Sequence, residues 1–262
     1  MPKLKVEGTN LYYQVQGEGV PIVFVHPPLL TSSNFKYQVN ELSKEFQTIV
    51  FDIRGHGNSS FSKEPVTHSR ISKDIKQLLD HLQITQAFLC GYSTGGTVVL
   101  DFLLTYPHRA KGAILLAPMP EVNDWRLKQE LQLAILFSKT KLITPLRYAI
   151  CFSNADNKSM FRELLSESKK GCSDNIRQYY QSSLTYQSTQ SIGKISTPTL
   201  LLYGEKNRQF HQYARMIESR VPNSQLQLIQ NAKHQLPTKA AEETNSLIKS
   251  FVQRVSRLIQ TV

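Results

Sequence analysis

Apolar positions along the chain follow two periods, and stretches of the two kinds alternate. Eight short runs, either continuously apolar or alternating with polar residues, are typical of strands. They lie at residues 4–16, which form a two-stranded ribbon around a turn at 8–10, and at 22–25, 48–52, 87–90, 112–117, 199–204 and 225–229. Helical patterns lie between most of them, such as Ile71, Ile75 and Leu78 on one face. This alternation predicts an α/β fold, with a mostly parallel eight-stranded sheet and helices on both faces.

Residues 121–190 interrupt the alternation. Four helical patterns follow one another there without an apolar run of the strand type, at residues 125–141, 145–151, 160–168 and 175–186. We therefore predict an inserted all-helical cap at 121–190. The α/β core is then built from residues 1–120 and 191–262.

Composition is that of an ordinary globular chain of 262 residues, with 40% hydrophobic and 19% charged positions. No apolar stretch approaches the ~20 residues that a bilayer span needs, and the first residues do not resemble a secretory signal. Cys90, Cys151 and Cys172 are odd in number and lack metal-ligand spacing. We therefore expect a cytoplasmic protein with reduced thiols, no membrane contact and no metal.

The charge balance is basic, with 31 Lys and Arg against 20 Asp and Glu and a net charge of +11. These charges are dispersed, because the only adjacent basic pair is Lys169 and Lys170. No stripe of Arg alternates with aromatic residues, as a single-strand binding surface requires. We therefore predict no nucleic-acid partner, and a monomer or homodimer that binds a small molecule.

A candidate nucleophile, Ser93, lies where a strand pattern changes into a helix pattern. Residues 91–95 fit G-x-S-x-G, with the apolar run 87–90 before them and helical spacing after them. In such a turn the glycines allow strand and helix to approach closely, and the serine is held at the tip. The N-terminus of the helix directs free N–H groups at an oxyanion beside Ser93. The N–H of Thr94 is therefore one predicted oxyanion donor.

A serine hydroxyl attacks a carbonyl only when a base takes its proton, and His234 is the best candidate among seven histidines. It lies in the polar loop 231–237, just after the last predicted strand, at the sheet edge where α/β proteins gather ligand sites. His26, Asp52 and His56 are interpreted as structural, with His26 holding its loop by hydrogen bonds and the other two lying in a charge-paired turn.

Taken in order, these signals resemble the α/β-hydrolase family in the branch with a helical cap. They are an H-P-P loop at 26–28, the segment D-x-R-G-H-G-x-S at 52–59, the turn around Ser93, the cap, a turn after Gly204 and the late histidine. The resemblance covers nearly the whole chain. It implies a carboxylesterase-like serine hydrolase that needs no cofactor, with a triad in the order serine, acid, histidine.

Asn207 is the first departure from the family pattern. The acid that orients the histidine normally stands in G-x-x-D, and residues 204–207 place asparagine there. An amide can accept a hydrogen bond from imidazole, but it brings no negative charge to stabilise imidazolium. We interpret Asn207 as the structural equivalent of the acid, with Glu205, Glu121 and Asp124 as alternative acids.

Pro28 is the second departure. The second oxyanion donor is usually the backbone N–H of the residue after H-G, and proline has no N–H. Either Leu29 donates in its place, which we predict, or the hole at Pro28 has one donor fewer. Tyr92 and Trp125 are the predicted substrate contacts, and apolar cap residues are expected to wall the pocket.

These expectations converge on an enzyme that cleaves a small apolar ester through an acyl-enzyme at Ser93, with His234 as general base and acid. A lactonase, a thioesterase or a C–C hydrolase would use the same residues. The alternative from another class is a ligand-binding protein that kept the pocket and lost catalytic turnover. Asn207 and Pro28 are the two residues that support this alternative.

Overall fold

A computed structural model describes residues 2–139 and 142–260, with side chains up to residue 258. Eight strands lie in it: β1 (Lys3–Val6), β2 (Thr9–Gln16), β3 (Pro21–Val25), β4 (Gln47–Phe51), β5 (Ala87–Tyr92), β6 (Ala110–Leu116), β7 (Thr199–Gly204) and β8 (Ser224–Ile229). They form one sheet in the order β1-β2-β4-β3-β5-β6-β7-β8. Only the pairs β1–β2 and β2–β4 are antiparallel, which confirms the mostly parallel sheet.

The described helices are α1 (Lys36–Leu42), α2 (His68–His81), α3 (Thr94–Thr105), α4 (Trp125–Phe137), α5 (Ile143–Asn154), α6 (Lys158–Lys169), α7 (Ser173–Thr185), α8 (His211–Glu218), α9 (Leu236–Lys239) and α10 (Ala241–Gln260). None of them is both long and apolar enough to cross a bilayer.

Helices cover both faces of the sheet, as the residues of β5 show. The ring of Phe88 lies 6.1 Å from that of Phe251 in α10. Gly91, three positions later and therefore on the opposite face, lies against Gly95 of α3. A strand covered on both faces has no polar side, which explains why all six residues of β5 are buried and why its sequence is a continuous apolar run.

The cap consists of α4–α7, which lie between β6 and β7 in the chain. An isolated antiparallel bridge between Glu121 and Gln187 joins the two connections between core and cap. The helix predicted over 125–141 ends at Phe137, and the last two positions of that prediction, residues 140 and 141, lie outside the described residues. Helix α4 begins where it does because the carboxylate of Asp124 accepts from the N–H of Leu127 at 2.8 Å.

Segment 52–59 fixes the two loops beneath the site. Asp52 accepts hydrogen bonds from Ser32 N–H and Asn58 N–H, both at 2.8 Å, and so ties the loop after β3 to the loop after β4. Arg54 pairs with Asp74 of α2, with Nε 2.7 Å from Oδ2, and both residues are buried. The turn is therefore charge-paired, but through a residue of the next helix and not through Asp52.

His26 is structural, as its sequence position predicts. Its Nε2 accepts from the N–H of Ile53 at 2.9 Å, and its Nδ1–H donates to the carbonyl oxygen of Pro27 at 2.9 Å. Both ring nitrogens are therefore engaged, and the side chain holds the start of the loop in place.

Candidate active site

Ser93 lies at the turn between β5 and α3 with a backbone that side chains rarely adopt, at φ 53° and ψ −123°. The turn is held because the N–H of Ser93 donates to the carbonyl oxygen of Leu116 in the neighbouring strand β6, at 2.8 Å. Strain of this kind persists only where the surrounding structure fixes it, and it is common at functional sites.

Close packing explains the glycine at position 95 of this turn. A methyl group added at Gly95 would overlap the carbonyl oxygen of Val25 at the end of β3. Helix α3 can start this close to β3 only because that side chain is absent. The sequence pattern at 91–95 therefore reflects a steric requirement of the turn.

His234 reaches Ser93 from the loop after β8. Its Nε2 lies 3.1 Å from Oγ of Ser93, within hydrogen-bonding distance, although the two residues are 141 positions apart. The imidazole packs between the rings of Phe210, at 4.4 Å, and Tyr92, at 5.3 Å. Burial lowers the pKa of His234 to about 4, so the ring is neutral at pH 7 and able to accept a proton.

Asn207 continues this chain of hydrogen bonds. Its Nδ2 lies 3.0 Å from Nδ1 of His234. When Nδ2–H donates to Nδ1, the single proton of the neutral ring lies on Nε2, which cannot then take the proton of Ser93. Rotation of the amide by half a turn brings Oδ1 to the same place, so that Nδ1–H donates and Nε2 is free. An aspartate would enforce the second arrangement, whereas the amide of Asn207 permits both.

None of the three alternative acids is hydrogen-bonded to His234 in the described part of the chain. The carboxylate of Glu205 accepts from the N–H of Asn231 at 2.9 Å, and that of Asp124 accepts from Gln209 and caps α4. Glu121 lies in the bridge at the base of the cap. Over the described part of the chain, His234 has its hydrogen bonds with Ser93 and Asn207 and with none of these carboxylates.

The oxyanion side of the site is less complete. Thr94 is the first residue of α3, so its N–H has no acceptor within the helix. Pro27 and Pro28 line the cavity and neither has an N–H. Leu29 has a left-handed φ of 71°, its side chain is buried, and it does not contribute to the cavity wall. The role of Leu29 as the second donor therefore stays a prediction.

A profile of the α/β hydrolase fold family matches residues 20–237, a span that includes Ser93, Asn207 and His234. This chain belongs to the α/β-hydrolase family. The family is one of hydrolases.

Similar members of the family include esterases. Mouse serine hydrolase BPHL is 28% identical over 265 residues, which cover 96% of this chain and 86% of the mouse protein. Carboxylesterase YbfK of Bacillus subtilis (strain 168) is 23% identical over 235 residues, 88% of this chain and 79% of that protein. An esterase from Exiguobacterium antarcticum has the same fold, with a TM-score of 0.86 and 21% identity over 94% of this chain and 96% of its own.

Ser93 and His234 open into a cavity of about 340 Å³ between the α/β-hydrolase core and the cap. Apolar side chains form much of its wall: Leu30 and Met119 from the core, and Leu127, Leu131, Ala134, Leu146 and Ile150 from the cap. A larger hollow of about 500 Å³ lies between α1 and α10, but neither Ser93 nor His234 lines it. The smaller cavity is therefore the candidate substrate site.

The two predicted substrate contacts differ in position. Tyr92 lines the cavity, and its hydroxyl donates to Oδ1 of Asn154 at 3.1 Å. Trp125 does not line it. Its side chain is 62% exposed at the start of α4, with the guanidinium of Arg126 5.4 Å from the ring centre. The prediction of Trp125 as a substrate contact is therefore corrected, because the cavity face of α4 begins at Leu127.

Several cavity residues were not predicted from the sequence: Asn154, Gln209, Phe210 and Gln235. Gln235 follows His234 directly, and Gln209 and Phe210 follow Asn207, so nearness to the predicted triad could have indicated these three. Asn154 lies in a cap helix whose orientation over the core has no local sequence signal.

Proposed function

We propose that this α/β-hydrolase is a serine hydrolase that cleaves a small apolar ester through an acyl-enzyme. The observation that carries the proposal is the continuous hydrogen-bonded chain from Ser93 through His234 to Asn207, which ends at the wall of an apolar cavity. Esterases among the similar proteins support the same reaction class.

In the proposed mechanism, Oγ of Ser93 bonds to the ester carbonyl carbon while its proton passes to Nε2 of His234. The electron pair of the carbonyl moves onto oxygen, and the N–H of Thr94 donates to the resulting oxyanion. When the carbonyl re-forms, the bond to the alcohol breaks and the alcohol leaves with the proton from His234. Water then releases the acid from Ser93 by the same steps.

The cavity supports a small substrate with an apolar acyl group, because its volume of about 340 Å³ is near the lower end for small-molecule sites. A lactonase, a thioesterase or a C–C hydrolase would need the same nucleophile and base. These activities remain the alternatives within the enzyme class. A lactone and a thioester should therefore be assayed as substrates beside the esters.

The test is turnover of p-nitrophenyl acetate and butyrate, together with labelling by a fluorophosphonate. We expect hydrolysis of both esters and one phosphonyl group per chain on Ser93. Failure of both turnover and labelling at Ser93 would contradict the proposal.

The second candidate is a ligand-binding protein of the same fold, and two observations favour it. Asn207 stands where a carboxylate would fix the base in its active tautomer, and Pro28 removes a backbone donor. This candidate predicts a ligand that binds tightly in the cavity with neither turnover nor labelling.

We also propose a cytoplasmic location. Cys90, Cys151 and Cys172 are all free, and the first two are buried. Free thiols of this kind are typical of proteins in a reducing compartment. Fractionation of the native source by immunoblot tests the location.

A further inference from the structure

Pro27 and Pro28 leave two positions of the cavity wall without a backbone donor. An oxyanion is ordinarily held by two donors, and loss of one costs about 10²–10³ in turnover. Pro27 and Pro28 have no N–H to offer, and Leu29 is not part of the wall. A hydrolase with this loop needs a second donor from another part of the cavity.

Most polar side chains that line the cavity already have partners. Three amides of the wall donate within the protein: Gln209 to Asp124, Gln235 to Ser153 and Asn154 to Ile150. The hydroxyl of Tyr92 donates to Asn154. The hydroxyl oxygen of Thr94 is fully buried, where a substrate oxygen cannot touch it.

Tyr180 differs from these residues, and it also differs from Ser153, whose hydroxyl accepts from Gln235. It lies in α7, its side chain is only 6% exposed, and it lines the cavity. Its hydroxyl has no hydrogen-bond partner in the parts of the chain that the structure describes, and its oxygen is not among the buried atoms left without one. A buried tyrosine hydroxyl normally finds a partner within the protein. Here the space that it faces is the cavity.

The turn of α7 that carries Tyr180 contacts the start of the proline loop. The preceding residue, Tyr179, donates its hydroxyl hydrogen to the carbonyl oxygen of His26 at 3.2 Å. His26 is adjacent to Pro27, so this turn of α7 is hydrogen-bonded to the start of the loop that has no N–H at positions 27 and 28. The cap therefore brings a hydroxyl to the cavity that Pro27 and Pro28 also line.

We propose that the hydroxyl of Tyr180 donates a hydrogen bond to the substrate carbonyl oxygen as it becomes the oxyanion, and so replaces the N–H absent at Pro28. The hydroxyl keeps its proton throughout, while the proton of Ser93 passes to His234 as above. Burial raises the pKa of Tyr180, so the group remains a donor at alkaline pH. This inference rests on the proposed serine hydrolase function.

The first test is Tyr180→Phe, which removes one oxygen from a buried ring. We expect kcat for p-nitrophenyl butyrate to fall about 10²-fold, with KM changed by no more than about two-fold. Tyr148→Phe is the matched control, because Tyr148 is a half-exposed cap tyrosine outside the cavity and should keep full activity. The thermal midpoint of both variants should equal that of the unmodified protein.

The second test separates an oxyanion contact from other roles. An oxyanion donor stabilises the same atom for every alcohol, so the loss should be equal for p-nitrophenyl butyrate and ethyl butyrate. Butylboronic acid forms a tetrahedral adduct on serine, and its affinity should weaken by the same factor as kcat/KM. A loss confined to KM, or a larger loss with the ethyl ester, would overturn the assignment.

Different results would contradict the role of Tyr180 and the hydrolase function. If the unmodified protein hydrolyses the esters and Tyr180→Phe is as active, only the role of Tyr180 is wrong and the second donor lies elsewhere. If the unmodified protein neither turns over esters nor takes a fluorophosphonate on Ser93, the hydrolase proposal fails and the role of Tyr180 fails with it.

Discussion

Two neighbouring strands deliver their loops to the same cavity, and the loops are constrained to different degrees. The turn after β5 is fixed by packing: Ser93 has an unusual backbone, and Gly95 leaves no room for a side chain beside Val25. The loop after β3 is held by hydrogen bonds, among them those of His26 and Asp52, and it carries two prolines where a donor is expected. The position of Ser93 is thus fixed by packing of the folded chain. The groups that donate hydrogen bonds to the oxyanion can instead be replaced by others.

Replacing the nucleophile itself should have the largest effect. Ser93→Ala should reduce turnover of p-nitrophenyl butyrate by about 10⁶-fold, because no covalent intermediate can form. Ser250→Ala, an exposed serine of α10, should retain full activity. Steady-state kinetics of the two variants measures the difference, and residual activity in Ser93→Ala within ten-fold of the unmodified protein would contradict the assignment.

Placing a carboxylate at position 207 should have the next largest effect, because it changes the partner of His234. Asn207→Asp should raise kcat/KM about 10²-fold or more, because a carboxylate fixes the proton on Nδ1 and stabilises imidazolium. Glu205→Gln should change little, since Glu205 is bonded to Asn231.

The pH dependence of kcat/KM is an independent test of the Asn207→Asp variant. Burial holds the pKa of His234 at about 4, so activity of the unmodified protein should fall only as pH drops toward that value. A negative charge at position 207 favours the protonated ring and raises its pKa. The pH below which kcat/KM falls should therefore rise by at least about one unit. If that pH does not change, position 207 is not the position of the acid.

Adding a methyl group to the turn tests whether packing fixes it. Gly95→Ala should lower the free energy of unfolding by roughly 3 kcal/mol or more, because the new atom would overlap the carbonyl oxygen of Val25. Gly193→Ala is the matched control, since its nearest neighbour, the carbonyl oxygen of Arg220, lies at an ordinary 3.5 Å. Urea denaturation compares them, and equal stability would show that the turn tolerates a side chain.

Restoring an N–H in the proline loop should have the smallest effect. Pro28→Ala adds a donor to a site that already holds two in this account, so kcat should rise no more than about ten-fold. Kinetics with p-nitrophenyl butyrate measures the change. A rise near 10³-fold would mean that Tyr180 does not act as the second donor.

The sequence predicted those features that have a local physical signature. Continuous apolar runs identify strands covered on both faces, and residues 91–95 carry the glycines that a tight strand-to-helix turn requires. His234 was predictable because the carboxyl edge of a parallel sheet collects the loops that follow its strands.

Features that depend on how the cap lies over the core were not predictable in this way. Trp125 and Leu127 are two positions apart and therefore about 200° apart around α4, so only one of them can face the cavity. The helix buries Leu127, Leu131 and Ala134, and the choice of that face depends on contacts with distant elements. Tyr180 was missed as a functional residue for the same reason, since its role depends on the missing donor of a loop 150 positions away in sequence.

Formation of an acyl-enzyme on Ser93 is the central claim, and trapping that species tests it most directly. The protein is mixed with p-nitrophenyl butyrate, quenched in acid within the first turnover, digested and analysed by peptide mass spectrometry. We predict a burst of one p-nitrophenol per chain and a butyryl group on the peptide that contains Ser93. Hydrolysis that continues with no acyl group on Ser93 would contradict the account.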